Sequence, residues 1–339
     1  MRLSLPYPRA YDGQGIRPIA GGPHELNAEQ SLHGTMNRNQ ILLLIVIGQG
    51  LVIALLFAIR FKRESADPED SIAVVEVAEQ MQQAPSNARE STLAEALTIA
   101  RAGLAEMRAN MTDYRGRVVK RERIKGQLAN EYEMEIKVQC RRLVEEEVVA
   151  PMRVYLKFLQ PQSVAGREVI WAEDQNDGRL IAHEPGLLNV AQASLDPHGE
   201  RAMEGNLYPI TEIGLVNLVV QLIARGENDL EESQVRVTLA EGQTIGDREC
   251  QQIRIELIQP HDELNFQYAE IFIDSERQIP LRYAAYGWPE DAATSDHDGP
   301  PELLEEYTYY DIQTNVGLTD ADFDPNNEAY DFPAFRINL

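Results

Sequence analysis

From about residue 113 onward, hydrophobic and polar positions alternate with a period of two, the pattern of strands that bury one face. The run from Pro151 to Gly186 shows it best. Met152, Val154, Leu156 and Phe158 alternate with Arg153, Tyr155 and Lys157. Gln160-Pro161-Gln162-Ser163 then breaks the strand, because proline cannot donate to a ladder and pushes its predecessor out of the helical region. Further strands are expected over Arg167–Ala172 and Arg179–Glu184. Between them Asn176-Asp177-Gly178 signals a tight turn, since these residues tolerate positive φ.

Upstream, Asp113–Ile124 and Glu131–Arg141 read as a hairpin. Arg115, Arg117, Arg121 and Arg123 share one face of the first strand; Glu131, Glu133 and Glu135 share one face of the second. A turn near Gly126–Asn130 would set Arg121 beside Glu135 and Arg123 beside Glu133. Such pairs contribute about 0.2–1 kcal/mol each. An anion-binding patch is the other reading of these arginines, and the built-in acids weaken it. Downstream, Val235–Leu239 and Ile253–Leu257 alternate cleanly, with Glu241-Gly242 and Gly246-Asp247 as turn signals between them. Phe266–Ile273, Pro280–Tyr286 and Leu303–Ile312 complete the expected sheet.

Two stretches switch to helical spacing. Thr92-Leu93-Ala94-Glu95 is a capping box, and Leu93, Leu97, Ala100, Leu104 and Met107 form one apolar stripe up to about Asn110. A core-facing surface explains that stripe better than a cofactor box. A second helix is expected from a cap near Thr211, with Leu215, Leu218, Val219 and Leu222 inward and Gly226 as its stop. Gly214 in its first turn would let it approach the sheet closely. Pro185–Ile210 has no clear period and reads as a long connection of the kind that forms lids.

Before the strands lies a different pattern. Ile41 to Ile59 carries no charge and is long enough to cross a hydrocarbon core of about 30 Å at about 1.5 Å per residue. Ala58-Ile59-Arg60 offers no small-residue cleavage site, so a retained transmembrane helix is expected, with a cleaved signal peptide as the alternative. Within it Gly50, Ala54 and Ala58 follow the small-xxx-small spacing that lets two spans approach as a homodimer, but small residues are common in such spans, and no specific pairing is the plainer reading. Residues 1–40 have no apolar period and read as a disordered tail. Residues 60–90 read as a linker with a short helix, capped at Asp67 and opened by Pro68. Its polar face carries Glu69, Asp70, Glu76 and Glu79, which suits a solvated spacer better than a membrane-surface helix. Arg60, Lys62 and Arg63 outweigh Arg38 on the other side of the span, and the positive-inside rule then favours a cytoplasmic domain.

Charge removes one class of function. The formal net charge is −24, and the residues before Glu64 are its more basic part, so the remainder of the chain repels nucleic acid and anionic lipid surfaces. Cys140 and Cys250 are the only cysteines, too few for a disulfide framework or a zinc site; core packing or one bridge is open to them. Candidate chemistry is sparse. His183-Glu184 lacks the second His of a zinc-protease motif, and there is no Walker loop, no G-x-S-x-G and no G-x-G-x-x-G. His261-Asp262-Glu263 and Asp296-His297-Asp298 sit in polar loop-like runs, and nothing fixes a distance between Glu168 and Glu184. No metal, no cofactor and no enzyme activity is expected.

The segments YLKFLQPQSVAGREVIW, NDGRLIAHEPG, RAMEGNLYPITEIGLVNLV, FIDSERQIPLRYAAYGWP and EEYTYYDIQTNVGLTDADFDP together resemble a planctomycete family known only as a domain of unknown function (number 1571). That family is similar in turn to the LolA/LolB-like lipoprotein carriers. The positions that carry the resemblance are Gly166, Arg167, Glu168, Pro209, Gly214, Asp274 and Pro280. The resemblance implies an α+β fold over residues 91–335, a curved antiparallel half-barrel with two or more helices packed on its concave side, here preceded by a single transmembrane helix. It also implies a periplasmic location, against the positive-inside count, so the chain is expected in the inner membrane with its domain in the periplasm. The concave cavity would hold a lipid, a lipoprotein or another apolar ligand. Its expected lining is Met134, Ile136, Val154, Leu156, Phe158, Leu215, Leu218 and Leu222, with ordinary core as the plain alternative for each. A chain fixed by a span cannot shuttle, which leaves receiving, sensing or scaffolding. The competing reading is an envelope interaction or sensory module without lipid, dimerised through its span; a hydrolase built around His183 is a distant third.

Overall fold

The computed structural model describes residues 85–186, 189–260, 264–288 and 301–339. The expected tail, span and spacer helix lie outside these residues, as do Gly50, Ala54, Ala58 and both loop clusters around His261 and His297. Among the described residues no helix is long and apolar enough to cross a membrane.

One sheet dominates. In chain order its strands begin with β1 (Arg89–Ser91), β2 (Asp113–Ile124), β3 (Gln127–Leu128) and β4 (Tyr132–Gln139). A separate hairpin comes next, β5 (Arg142–Val144) and β6 (Glu147–Ala150), which exposes Leu143, Val144, Val148 and Val149. The main sheet resumes with β7 (Arg153–Gln160), β8 (Glu168–Ala172), β9 (Leu180–His183) and β10 (Gln192–Leu195). It continues through β11 (Val235–Ile245), β12 (Arg248–Leu257), β13 (Tyr268–Asp274), β14 (Pro280–Gly287), β15 (Glu302–Thr314) and β16 (Arg336–Asn338). The spatial order is β1-β11-β12-β13-β14-β15-β2-β4-β7-β8-β9-β10-β16, with β3 paired to β2 off this path. Neighbours run antiparallel except β10 and β16. The α+β class and the open, mostly antiparallel sheet are therefore as expected. The sheet takes in strands on both flanks of residues 91–335, at Arg89–Ser91 and Arg336–Asn338.

Three α-helices lie among the described residues: α1 (Leu93–Asn110), α2 (Glu200–Met203) and α3 (Leu215–Asn228). Thr92 caps α1 by accepting the Glu95 amide at 3.1 Å, while the Glu95 carboxylate turns to Arg89 and Ser91. α1 and α3 pack on one face of β11–β14, where Leu93 and Ala96 meet Val237, Leu239, Ile253, Ile271 and Tyr283.

Several details depart from the pattern reading. The first hairpin closes at Lys125 and Gly126, both at positive φ, so Ile124 pairs with Gln127 in β3. That early closure shifts the register: Arg117, not Arg121, faces Glu135, and the ion pair formed is Arg117–Glu133 at 2.8 Å. Glu241-Gly242 is a bulge inside β11 rather than a turn, since the pairing slips between Ala240 and Gln243 and resumes. α3 begins at Leu215 with Gly214 as its cap, and Thr211 belongs to a preceding single turn. Gly226 does not stop α3. It lies buried in the last turn, where an added Cβ would come within 2.9 Å of Leu97 of α1. The stretch after Pro185 is no bare loop, because β10 and α2 form within it.

The expected one-sided burial of the 151–160 strand is also incomplete. Tyr155 and Ile170 point away from the helices, yet both are buried, because Phe323, Leu318, Tyr330 and Phe332 cover them. Tyr155 and Tyr330 stack with centroids 4.3 Å apart.

Candidate functional site

A cavity of about 170 Å³ lies between the sheet and a cover made of residues 201–214 and α3. The strands that line it are consecutive neighbours from β14 through β15, β2, β4, β7, β8 and β9 to β10. At about 4.8 Å per step, a flat sheet would spread these over roughly 34 Å. One cavity reached from all of them requires the sheet to curl around it.

Period two decides which side chains enter. On β2 it sends Val118, Lys120 and Glu122 inward, and on β7 Leu156 and Phe158. Met134, Val169, Leu180, Ala182 and Leu195 extend the apolar wall, and Leu218 and Leu222 of α3 close it from above. Met134, Leu156, Phe158, Leu218 and Leu222 all border the cavity. Ile136, Val154 and Leu215 do not border the cavity and are fully buried packing.

The cover is seated by geometry at Gly214. Its φ of 109° and ψ of 159° belong to a region only glycine occupies readily. Beside it the fully buried Tyr114 hydroxyl accepts the Leu215 amide at 3.1 Å, which satisfies one of the orphan donors of the first turn. Pro209 also lines the cavity.

One end of the cavity is polar. Glu122 and Glu305 face each other across β2 and β15, an unfavourable pairing if left bare. It is not bare. Glu122 accepts from Lys120 Nζ at 3.0 Å, from the Leu207 amide at 3.1 Å and from Tyr307 Oη at 2.6 Å. Glu305 accepts from Tyr283 Oη at 3.0 Å and lies 3.4 Å from Arg225 Nη1. Arg225 also donates to Tyr208 Oη at 2.6 Å, and Lys120 to Asn206 Oδ1 at 2.6 Å. Sheet, cover segment and α3 are therefore tied together by one hydrogen-bonded network. Burial, with Glu122 and Glu305 nearby, raises the Tyr307 pKa and keeps that phenol protonated. Burial works against the Arg225 charge, but Tyr283, Tyr208 and Glu305 outweigh it and raise its pKa.

The family-motif residues divide between the two faces of the sheet. Arg167 borders the cavity, 5.4 Å from the Phe158 ring centroid, and pairs with Glu184 at 2.8 Å. Glu168 lies on the opposite face, fully buried. There it meets His183 Nε2 at 2.8 Å and accepts from Tyr155 Oη at 2.5 Å and the Asp331 amide at 2.7 Å. Glu168 and Glu184 are consequently no carboxylate pair. His183 is sealed under Phe332, away from the cavity. Gly166 at φ 91° makes the turn into β8, and its Cβ would meet Pro185 at 3.1 Å. Asp274 builds the β13–β14 turn by accepting the Glu276 and Arg277 amides and pairing with Arg248 at 2.8 Å, while Pro280 opens β14. Among the described residues no three His, Cys, Asp or Glu side chains converge as metal ligands. Cys140 and Cys250 are free and buried, so the bridge left open by the sequence is not formed.

Pattern reading missed the polar end entirely. The signal was present for Lys120 and Glu122, which share the face of Val118. For Tyr208 and Arg225 nothing short of the folded cover could reveal a common site.

Among solved structures the chain is similar to a putative outer membrane lipoprotein-sorting protein domain from Vibrio parahaemolyticus, at 12% identity and TM-score 0.31, covering 69% of this chain and 98% of that one. It is also similar to a LolA superfamily protein from Nitrosomonas europaea, at 11% identity and TM-score 0.27, covering 69% and 98%. A third likeness is to the Pseudomonas aeruginosa MucA/MucB complex, at 16% identity and TM-score 0.36, covering 68% of this chain and 60% of that one. At these TM-scores none of them bears on function. No curated protein matches the chain. The family model described as "Protein of unknown function (DUF1571)" matches residues 111–332, which run from the end of α1 to the aromatic segment over Tyr155, and the chain belongs to that family.

Proposed function

We propose that this protein is a non-catalytic, membrane-anchored binder of an apolar ligand, a lipid or the acyl chain of a lipoprotein, held in the cavity beneath residues 201–214 and α3. The observation that carries this reading is a mostly apolar-walled pocket between the sheet and its cover, bordered by Leu156, Phe158, Val169, Leu218 and Leu222. Protein interiors are otherwise close-packed, so the apolar side chains facing this pocket lack the dispersion contacts that an apolar ligand would supply. Volume limits what enters. A dry apolar cavity of about 150 Å³ takes one benzene, and sites for larger small molecules run to roughly 300–1,000 Å³. At about 170 Å³ the cavity takes a short apolar group, or the end of a longer acyl chain, as it stands.

In this reading residues 41–59 anchor the chain in the inner membrane with the domain in the periplasm. Anchoring suits receipt or sensing of a ligand rather than shuttling. The test is displacement of an environment-sensitive apolar dye from the full-length chain. Wild type binds the dye. Leu156→Trp and Leu218→Trp, which fill the space from the sheet and from α3, weaken binding at least tenfold with the circular dichroism spectrum unchanged. Equal binding by all three proteins removes the cavity as the site.

A further inference from the structure

Four cationic side chains border the cavity: Lys120, Arg167, Arg201 and Arg225. Three of them have a carboxylate of their own. Lys120 pairs with Glu122 at 3.0 Å, Arg167 with Glu184 at 2.8 Å and Arg225 with Glu305 at 3.4 Å. Arg201 is different. It projects from α2 on the cover, is exposed, and has no acidic partner among the described residues. Glu200 and Glu204 flank it in the chain without forming an ion pair to it. The remaining acid of the lining, Glu212, accepts from Gln221 Nε2 at 3.1 Å instead.

The chain as a whole carries −24, so a cationic group without a partner at the cavity is not a by-product of overall basicity. A guanidinium presents a planar fork of donors that matches a carboxylate or a phosphate, and charge-assisted bonds of this kind are stronger than neutral ones. An amphiphile with its chain among Leu156, Phe158 and Leu222 would present its head at the cover. We infer that Arg201 is the head-group anchor of this cavity, and that the ligand is an anionic amphiphile whose carboxylate or phosphate pairs with it. The inference rests on the cavity being a ligand site, as proposed above, and adds the charge of what binds there.

The test uses four probes with the same octyl chain, short enough for the cavity and held below micelle formation: octanoate, octyl phosphate, octanol and octyltrimethylammonium. Each is titrated against the dye-loaded full-length protein, wild type and Arg201→Gln. In wild type at least one of the two anions binds about tenfold more tightly than octanol, and the tighter one names the head-group chemistry. Arg201→Gln brings both anions to within twofold of octanol and leaves octanol itself unchanged. The anchor is overturned if anions and octanol bind wild type alike, or if the preference survives Arg201→Gln. It is equally overturned if the ammonium probe binds best, which would point to Glu212. In each of those cases octanol binding still supports the cavity. If no probe displaces the dye, the ligand-site reading itself fails and the anchor falls with it.

Discussion

Replacing Gly214 by alanine perturbs the hinge by which α3 is set over the cavity. The residue sits at φ 109° and ψ 159°, where a side chain costs about 1–3 kcal/mol of backbone strain. The new Cβ would also stand 3.1 Å from Tyr114 Oη, which is fully buried and accepts the Leu215 amide at 3.1 Å. Displacing that hydroxyl leaves a helix N–H unsatisfied, at about 1–3 kcal/mol. The backbone can relax to relieve part of each, so the expected loss is about 2–4 kcal/mol rather than the full sum. Urea unfolding of the full-length chain, tracked by far-ultraviolet circular dichroism, reads it as a lower midpoint. Tyr114→Phe supplies the control. It removes the hydroxyl, costs about 1–3 kcal/mol alone, and takes away the atom that the new methyl would meet. Gly214→Ala should then cost about 1 kcal/mol less in the Tyr114→Phe background than in wild type. A loss below about 0.5 kcal/mol for Gly214→Ala, within the range of ordinary surface changes, refutes the strain argument. Equal losses in both backgrounds refute the part assigned to Tyr114.

Acid should loosen the aromatic cover over Tyr155. Burial alone would raise the Glu168 pKa, but hydrogen bonds from His183, Tyr155 and the Asp331 amide outweigh it and hold the folded value below the ordinary 4.5. A depressed folded value stabilises above the unfolded pKa and is lost as pH falls through the folded one. Stability should thus hold down to about pH 5 and decline below about pH 4.5, with Glu168→Gln less stable at neutral pH and showing a shallower acid decline; matching pH profiles for the two proteins would contradict this. The thiols should be silent in the native state. Burial pushes Cys140 up to about 12 and Cys250 up to about 11, so a thiol reagent at pH 8 should label neither until denaturant is added, and prompt labelling of either would contradict the packing.

The strands were legible where one face is buried and the other wet. Val235–Leu239 and Ile253–Leu257 announce themselves because the period of two is undisturbed, and Asn176-Asp177-Gly178 because all three residues adopt the positive φ their types allow. β10 was not legible. Gln192, Ala193, Ser194 and Leu195 are all buried, covered on both faces, and a short strand of that kind carries no alternation. Register in the first hairpin was set by Lys125-Gly126, and charge pairing obeyed the turn rather than choosing it. Gly226 shows the limit of reading a glycine from position alone: near a helix end it resembles a stop, yet here it makes room for Leu97. Apolar lining and apolar core share one sequence signature, so Leu156 and Val154 differ only in whether the cover leaves space above them. The polar end depends on residues as far apart as Glu122, Tyr208 and Glu305, and long-range pairing of that kind is invisible along a chain.

Whether the cavity holds an apolar ligand can be read from native mass spectrometry of the full-length chain purified from cell envelopes, with organic extraction of whatever it carries. An adduct that extracts as an amphiphile is expected on wild type and is expected to be absent from Leu156→Trp. A bare polypeptide mass that also takes up no added octanoate, octyl phosphate or octanol would contradict ligand binding in the cavity.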